Sequence, residues 1–315
     1  MNPIRKAYLQ LHIAVLFFGF TAILGNDKLI SIPAISIVWW RVLFTSVSLF
    51  FLINFGKSLR KIPKRYLWQY MVIGAIVALH WVCFFGSVKL AGNSSVTLVC
   101  MATGALFTAL IEPLVLKTKF QKKDLLLGIL VIPGMALVVG NVSSDMWLGI
   151  VVGLISAFLA SVFSVWNKMI IDEADPKDIT FLEMSSGWLF ISCILPFVLH
   201  FDESIAFMPV GLDWIYLLLL ALLCTTFAYV LSLRALKHLS AFTSTLTYNL
   251  EPVYGILIAY FFLETGGCLK HKQGMHNPGS SNKTTPDSVT LPNRCLHPVL
   301  LRLQGESPLK KVRNL

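Results

Sequence analysis

The sequence predicts an all-α fold, a polytopic bundle of membrane-crossing helices. Three observations lead there. Of 315 residues, 56% are hydrophobic and only 13% charged, with a mean hydropathy of +0.73, whereas a soluble domain carries roughly 25% charged residues. Apolar runs recur along the chain, most of them near the roughly 20 residues that cross a bilayer as a helix. The basic residues sit in the short connections between those runs and in the tail, not in one basic domain. The net charge of +10 therefore reads as membrane topology, and nucleic acid is excluded as a partner.

The runs fall at about 8–25, 34–55, 66–90, 93–116, 125–140, 147–167, 179–200, 212–233 and 239–262. The first follows M-N-P-I-R-K, the outline of a secretory signal. No small-x-small cleavage pattern comes after it, so it is taken as the first membrane helix. The fifth run is short for a span. In the sixth, Gly149, Gly153, Ala157 and Ser161 stand four residues apart and make one small-residue face suited to close helix packing. Four cysteines (Cys83, Cys100, Cys193, Cys224) lie singly in apolar runs and read as small buried hydrophobes.

Orientation follows from the basic residues. With the N-terminus inside, the inner connections hold Arg5, Lys6, Lys57, Arg60, Lys61, Lys64, Arg65, Lys117, Lys119, Lys122, Lys123, Lys168, Lys177, Arg234 and Lys237. The outer ones hold Lys28 and Lys89. This asymmetry predicts a cytoplasmic N-terminus.

The runs also repeat. Those starting near 8, 34, 66 and 93 return near 147, 179, 212 and 240. A unit of five helices is odd, so the second copy runs upside down relative to the first, the plan of many secondary transporters. The predicted organisation is a first repeat over 1–140, an inverted second repeat over 141–264, and a tail over 265–315. The repeat calls for a tenth helix starting near 272, but H-K-Q-G-M-H-N-P stands there, so the tenth helix is expected to be missing. All 38 aromatic residues precede the tail, which holds eight basic and two acidic residues. Disorder is expected for it.

Polar residues inside the apolar runs are the candidate site. L-T-Y-N-L-E-P-V-Y, residues 246–254, puts Tyr248, Asn249 and Glu251 beside Pro252. An ionisable group at membrane depth is costly and marks function by default, and proline frees a carbonyl one turn back. Glu251 either caps a kink or pairs with a neighbouring helix, or it walls a substrate path; proton exchange is a further candidate role. Arg41, after Trp39 and Trp40, lies about 12 Å into the second helix and is either a structural ion pair or part of the same wall, with Glu251 as a candidate partner. His80 and Trp81 in the third helix either pack or line a cavity. Glu183 is more simply a carboxylate near a helix start, stabilised by the dipole. Glu112-Pro113 is not in register with Glu251-Pro252 and falls near the inner end of its helix. Enzyme motifs such as Gly-x-Ser-x-Gly, His-Glu-x-x-His and Walker A are absent from the sequence, so no catalytic residue is assigned. The irregular spacing of Cys268, His271, His276, Cys295 and His297 argues against zinc. No cofactor or metal is expected.

L-H-I-A-V-L-F-F-G-F-T-A-I-L-G at 11–25, S-I-V-W-W-R-V-L at 36–43 and L-S-A-F-T-S-T-L-T-Y-N-L-E-P-V-Y-G-I-L-I-A-Y-F-F-L-E at 239–264 resemble EamA-type permeases of the drug/metabolite transporter superfamily. K-L-A-G-N-S-S-V-T-L at 89–98 is the first-half counterpart of the last phrase. The resemblance covers about 1–264; the tail departs from it. It implies ten helices in two inverted repeats around a central cavity, and movement of a small metabolite by alternating access without ATP. The expected function is thus a secondary transporter, an exporter in a bacterial inner membrane. Its cavity wall is expected to be Glu251, Asn249, Tyr248, Arg41, Trp40, His80 and Trp81. The alternative is a truncated, non-transporting membrane protein, either a frameshifted product or one that binds a partner through its tail. Expected partners are a small-molecule substrate and the lipid bilayer, with a second copy of the chain as a further candidate.

Overall fold

The structure is a computed structural model that describes residues 2–24, 29, 32–53, 59–92, 94–139, 144–201, 207–255 and 257. The 265–315 tail, the expected tenth helix and the end of the ninth run lie outside the described residues. Within them the fold is helical, without strands. The helices are α1 (Pro3–Ile23), α2 (Ala34–Leu52), α3 (Lys64–Ala91), α4 (Ser94–Leu116), α5 (Lys122–Val139), α6 (Trp147–Ile170), α7 (Pro176–Phe201), α8 (Asp213–Leu236) and α9 (Ala241–Tyr248). Each expected run forms a helix, including the short fifth.

Prolines open several helices. Pro3 occupies the first turn of α1 behind Asn2, whose side chain accepts from the Ile4 N–H. Pro33 and Pro63 immediately precede α2 and α3, and Pro176 begins α7. The missing N–H costs nothing there, since the first-turn donors have no helical partner. α3 ends at Gly92, whose φ of 62° suits the left-handed stop. Six helices are long and apolar enough to cross a membrane: α2, α3, α4, α6 with its continuation, α7 and α8. α5 gives three of its 18 residues to Lys122, Lys123 and Asp124.

Packing reveals the internal duplication. α3 lies against α6 and α7, α4 against α6, α1 against α8, and α2 against α8. Moving every helix five places along turns α3–α6 into α8–α1 and α3–α7 into α8–α2. The same move turns α4–α6 into α9–α1, which also touch, while α2–α7 and α4–α9 map onto themselves. Close crossings rest on small residues. A Cβ on Gly149 would stand 2.7 to 2.9 Å from Ala91, and one on Gly153 would stand 2.8 Å from the Cys100 Cβ. Further along the same face, the Ser161 hydroxyl donates to the Gly104 carbonyl at 2.9 Å. The small-residue stripe of α6 is thus the seam that holds it to α3 and α4. Gly74 and Gly187 play the same part between α3 and α7, and Gly19 lies on the backbone of Glu251 and Gly255.

Two helices carry irregular turns. In α8, Leu222–Phe227 forms a π turn. The Thr225 and Thr226 hydroxyls donate to the Leu220 and Ala221 carbonyls at 2.9 and 3.0 Å. α9 stops at Tyr248, turns through Asn249 and Leu250, and resumes a helical course at Glu251. Pro252 explains the break: it has no N–H for the Tyr248 carbonyl and its ring crowds that carbonyl.

Candidate functional site

The break in α9 faces a cavity of about 120 Å³, which α8 lines beyond its π turn, from Tyr229 onward; this is well above the roughly 10–15 Å³ that admits one water. It lies between the repeats: α1, α2, α3 and α4 supply one wall, α6, α8 and α9 the other. Six of the seven residues expected from the sequence line it, namely Arg41, His80, Trp81, Tyr248, Asn249 and Glu251.

Trp40 does not. Successive helical residues point about 100° apart, so turning Arg41 inward carries Trp40 round α2. Its indole N–H donates to the Phe207 carbonyl at 3.2 Å, and its ring packs edge-on against Trp214 at 4.8 Å and Trp39 at 4.7 Å. It belongs to an aromatic cluster at the end of the bundle remote from the N-terminus, where Trp typically settles at a membrane interface.

Arg41 is 1% exposed. Its Nε donates to the Thr225 hydroxyl at 2.6 Å and Nη2 to the Cys224 carbonyl at 3.4 Å, both in the π turn. The guanidinium lies over Trp81 at 4.0 Å from the ring centroid, a cation–π contact. Its Nη1 is buried with no partner. Glu251 lines the same cavity, yet among the described residues no ion pair joins the two. Arg41 is held by α8, and its charge acts on Glu251 across the cavity without touching it.

His80 is fixed from behind. Its Nδ1 lies 2.9 Å from the Ser156 carbonyl, and the Ser156 hydroxyl donates to the His80 carbonyl at 3.0 Å. This pair ties α3 to α6 and sets the ring against Phe163. Tyr248 hydrogen-bonds Ser232 and packs edge-on against Phe18 at 5.8 Å. Asn249 is held by its backbone N–H to the Leu246 carbonyl, and its Nδ2 is buried without a partner. The cavity thus offers a cation, a carboxylate, open amide groups and aromatic faces.

Asn167 and Tyr229 also line it, and sequence reasoning did not single them out. A lone Asn near a helix end and a Tyr in an apolar run carry no motif. Behind them is Glu183, fully buried on α7. Its Oε2 accepts from the Tyr229 hydroxyl at 2.7 Å, and its Oε1 has no partner. It lies seven residues into α7, beyond the first turn where the helix dipole acts. The dipole reading of this carboxylate is therefore replaced by a tyrosine partner.

Glu112 has a different task. Its carboxylate accepts from the backbone N–H groups of Ala241 and Phe242 at 2.9 and 2.7 Å, clamping the start of α9 to α4. Among the described residues no group of three or more His, Cys, Asp or Glu could hold a metal ion.

The EamA-like transporter family model matches residues 5–140 and again 147–266. The chain belongs to the EamA-like transporter family. One solved structure, described only as the crystal structure of a protein, is similar with a TM-score of 0.62 at 15% identity, over 81% of this chain and 87% of that one. That likeness shows the fold alone. No curated protein matches the sequence. Family membership and six membrane-length apolar helices make this an integral membrane protein with a transporter fold.

Proposed function

We propose that this chain is a secondary transporter that exports a small metabolite by alternating access through the cavity between its repeats. One observation carries the reading. Arg41 and Glu251 line one small cavity without pairing, and Arg41 Nη1, Asn249 Nδ2 and the Asn167 amide are buried there without hydrogen-bond partners. Buried polar groups left open are costly unless something fills them, and a polar ligand would. Trp81, Phe84, Phe163 and Tyr248 supply apolar faces for the body of such a ligand. The basic connections favour a cytoplasmic N-terminus, which in a bacterium means insertion in the inner membrane. The cavity then extends from mid-depth toward the cytoplasmic ends of α6 and α8, where Asn167 and Leu236 line it.

The test is untargeted. Proteoliposomes are loaded with a uniformly ¹³C-labelled extract of bacterial small metabolites, and released compounds are identified by mass spectrometry. One compound or a narrow set released faster than from empty liposomes is expected, with Arg41→Ala abolishing the difference. Equal release from both kinds of vesicle would refute transport.

A further inference from the structure

We infer that Glu183 is the site of the coupling proton, with Tyr229 joining it to the substrate cavity. The inference rests on the transport reading above and deepens it. Glu183 is fully buried on α7, and it meets the cavity wall through the hydrogen bond from the Tyr229 hydroxyl to Oε2 at 2.7 Å, with the Asn167 amide beside it. Oε1 has no partner. Asn167, on α6, is also fully buried; its amide stands beside Glu183 and Tyr229, close enough to act on both as a hydrogen-bonding neighbour but outside strict hydrogen-bond geometry. Tyr229 and Asn167 both line the cavity, so the carboxyl lies one side chain behind it.

A buried carboxylate needs a cation, a full set of donors, or a proton. Among the described residues no cation faces Glu183. The titratable groups that face Glu183 are phenols, Tyr229 from α8 and Tyr70 from α3. α6 contributes the uncharged Asn167. The one charged residue of α2 is Arg41, which is turned to Thr225 and the Cys224 carbonyl. His80 of α3 is turned to Ser156. The donors are also few, with the Tyr229 hydroxyl on Oε2 and beside them only the loosely placed Asn167 amide. A hard metal cation would want about six oxygens, and the side chains of Glu183, Tyr229 and Asn167 bring four at most. A proton needs only Oε1. Gly74 seals the other side, because its missing side chain lets α3 lie directly on the Glu183 backbone.

In the cycle, a hydronium ion from the outer face breaks one of its O–H bonds to give a proton to Oε1, forming the carboxyl O–H and leaving water. After the cavity turns to the inner face that bond breaks, and water there accepts the proton. One proton moves in for each substrate moved out. Glu251, open to the cavity, serves the substrate instead.

Two measurements test this. In the ¹³C-extract assay, the ratio of release with and without a pH gradient is expected to exceed unity for wild type and for the surface control Asp172→Asn. It should fall to unity for Glu183→Gln and stay above unity, with a shifted pH midpoint, for Tyr229→Phe. Infrared difference spectra of purified protein between alkaline and acid buffer should contain a carboxylic C=O stretch that Glu183→Gln removes and Tyr229→Phe moves in frequency. A Glu183→Gln protein that keeps the wild-type gradient ratio or the same carboxylic band overturns the inference. A sodium gradient that drives release where a pH gradient does not also overturns it. Wild-type vesicles that release nothing refute transport itself, a separate outcome.

Discussion

Glu112 makes the most quantitative prediction in the molecule. Its two carboxylate oxygens accept from the N–H groups of Ala241 and Phe242 at 2.9 and 2.7 Å, at a site where Glu112 is 9% exposed. These donors belong to the first turn of α9 and have no partner within the helix. A hydrogen bond to a charged group contributes about 1.5–3 kcal/mol net. Glu112→Ala removes both acceptors and leaves two donors shielded from water, so a loss of about 3–5 kcal/mol is expected. Glu112→Gln keeps one acceptor oxygen but gives up the charge facing a helix N-terminus, and should lose roughly half as much. Ser240→Ala is an internal scale. It deletes the cap on the Thr243 N–H at 3.0 Å and the bond to the Thr243 hydroxyl at 2.8 Å, and should cost about 1 kcal/mol. Reversible unfolding in mixed micelles, followed by circular dichroism, measures all three. A Glu112→Ala protein within about 0.5 kcal/mol of wild type, or one no weaker than Ser240→Ala, would refute the clamp.

Arg41→Lys keeps the charge but loses the fork that reaches Thr225 and Cys224 together, so release of the transported compound should fall about 10- to 100-fold. Trp40→Phe should leave release within about 2-fold of wild type, because a change at a site away from the cavity contacts usually stays within ±0.5 kcal/mol. Gly149→Ala forces a Cβ to within 2.7 Å of the Ala91 backbone and should cost about 1–3 kcal/mol in the unfolding assay, by overpacking the α3–α6 seam. Ser156→Ala removes the hydroxyl that anchors the His80 carbonyl and should cost about 1 kcal/mol with a smaller effect on release.

The helices were legible because the bilayer imposes length and polarity together: the first eight apolar runs became helices within about five residues of their expected bounds, while the end of the ninth lies outside the described residues. The duplication was legible because spacing survives where letters do not. The cavity was legible through its charges. Arg41, His80 and Glu251 are conspicuous in apolar runs, and the structure brings them to one place. Trp40 went astray because adjacency in sequence is not adjacency on a helix. Glu183 was misread for a related reason. Its distance from the helix start suggested a dipole contact, whereas its partner, Tyr229, lies 46 residues further along the chain. Asn167 gave no signal at all, since its meaning comes from standing beside Glu183 and Tyr229, which only packing reveals. The π turn was equally silent: L-L-C-T-T-F looks like any stretch of membrane helix.

That turn has one more consequence. A π turn closes its hydrogen bonds five residues apart instead of four, so it holds a residue that a regular helix would not. Within it α8 offers Arg41 the Cys224 carbonyl and the Thr225 hydroxyl; beyond it α8 offers Glu183 the Tyr229 hydroxyl. Removing any one residue between Leu222 and Phe227 would let the helix regularise and swing everything beyond it by about 100°. Arg41 and Glu183 could then no longer both be met by the same helix. The alignment of cation and carboxylate is therefore stored in how many residues α8 contains, a property that no substitution can alter and a single deletion would erase.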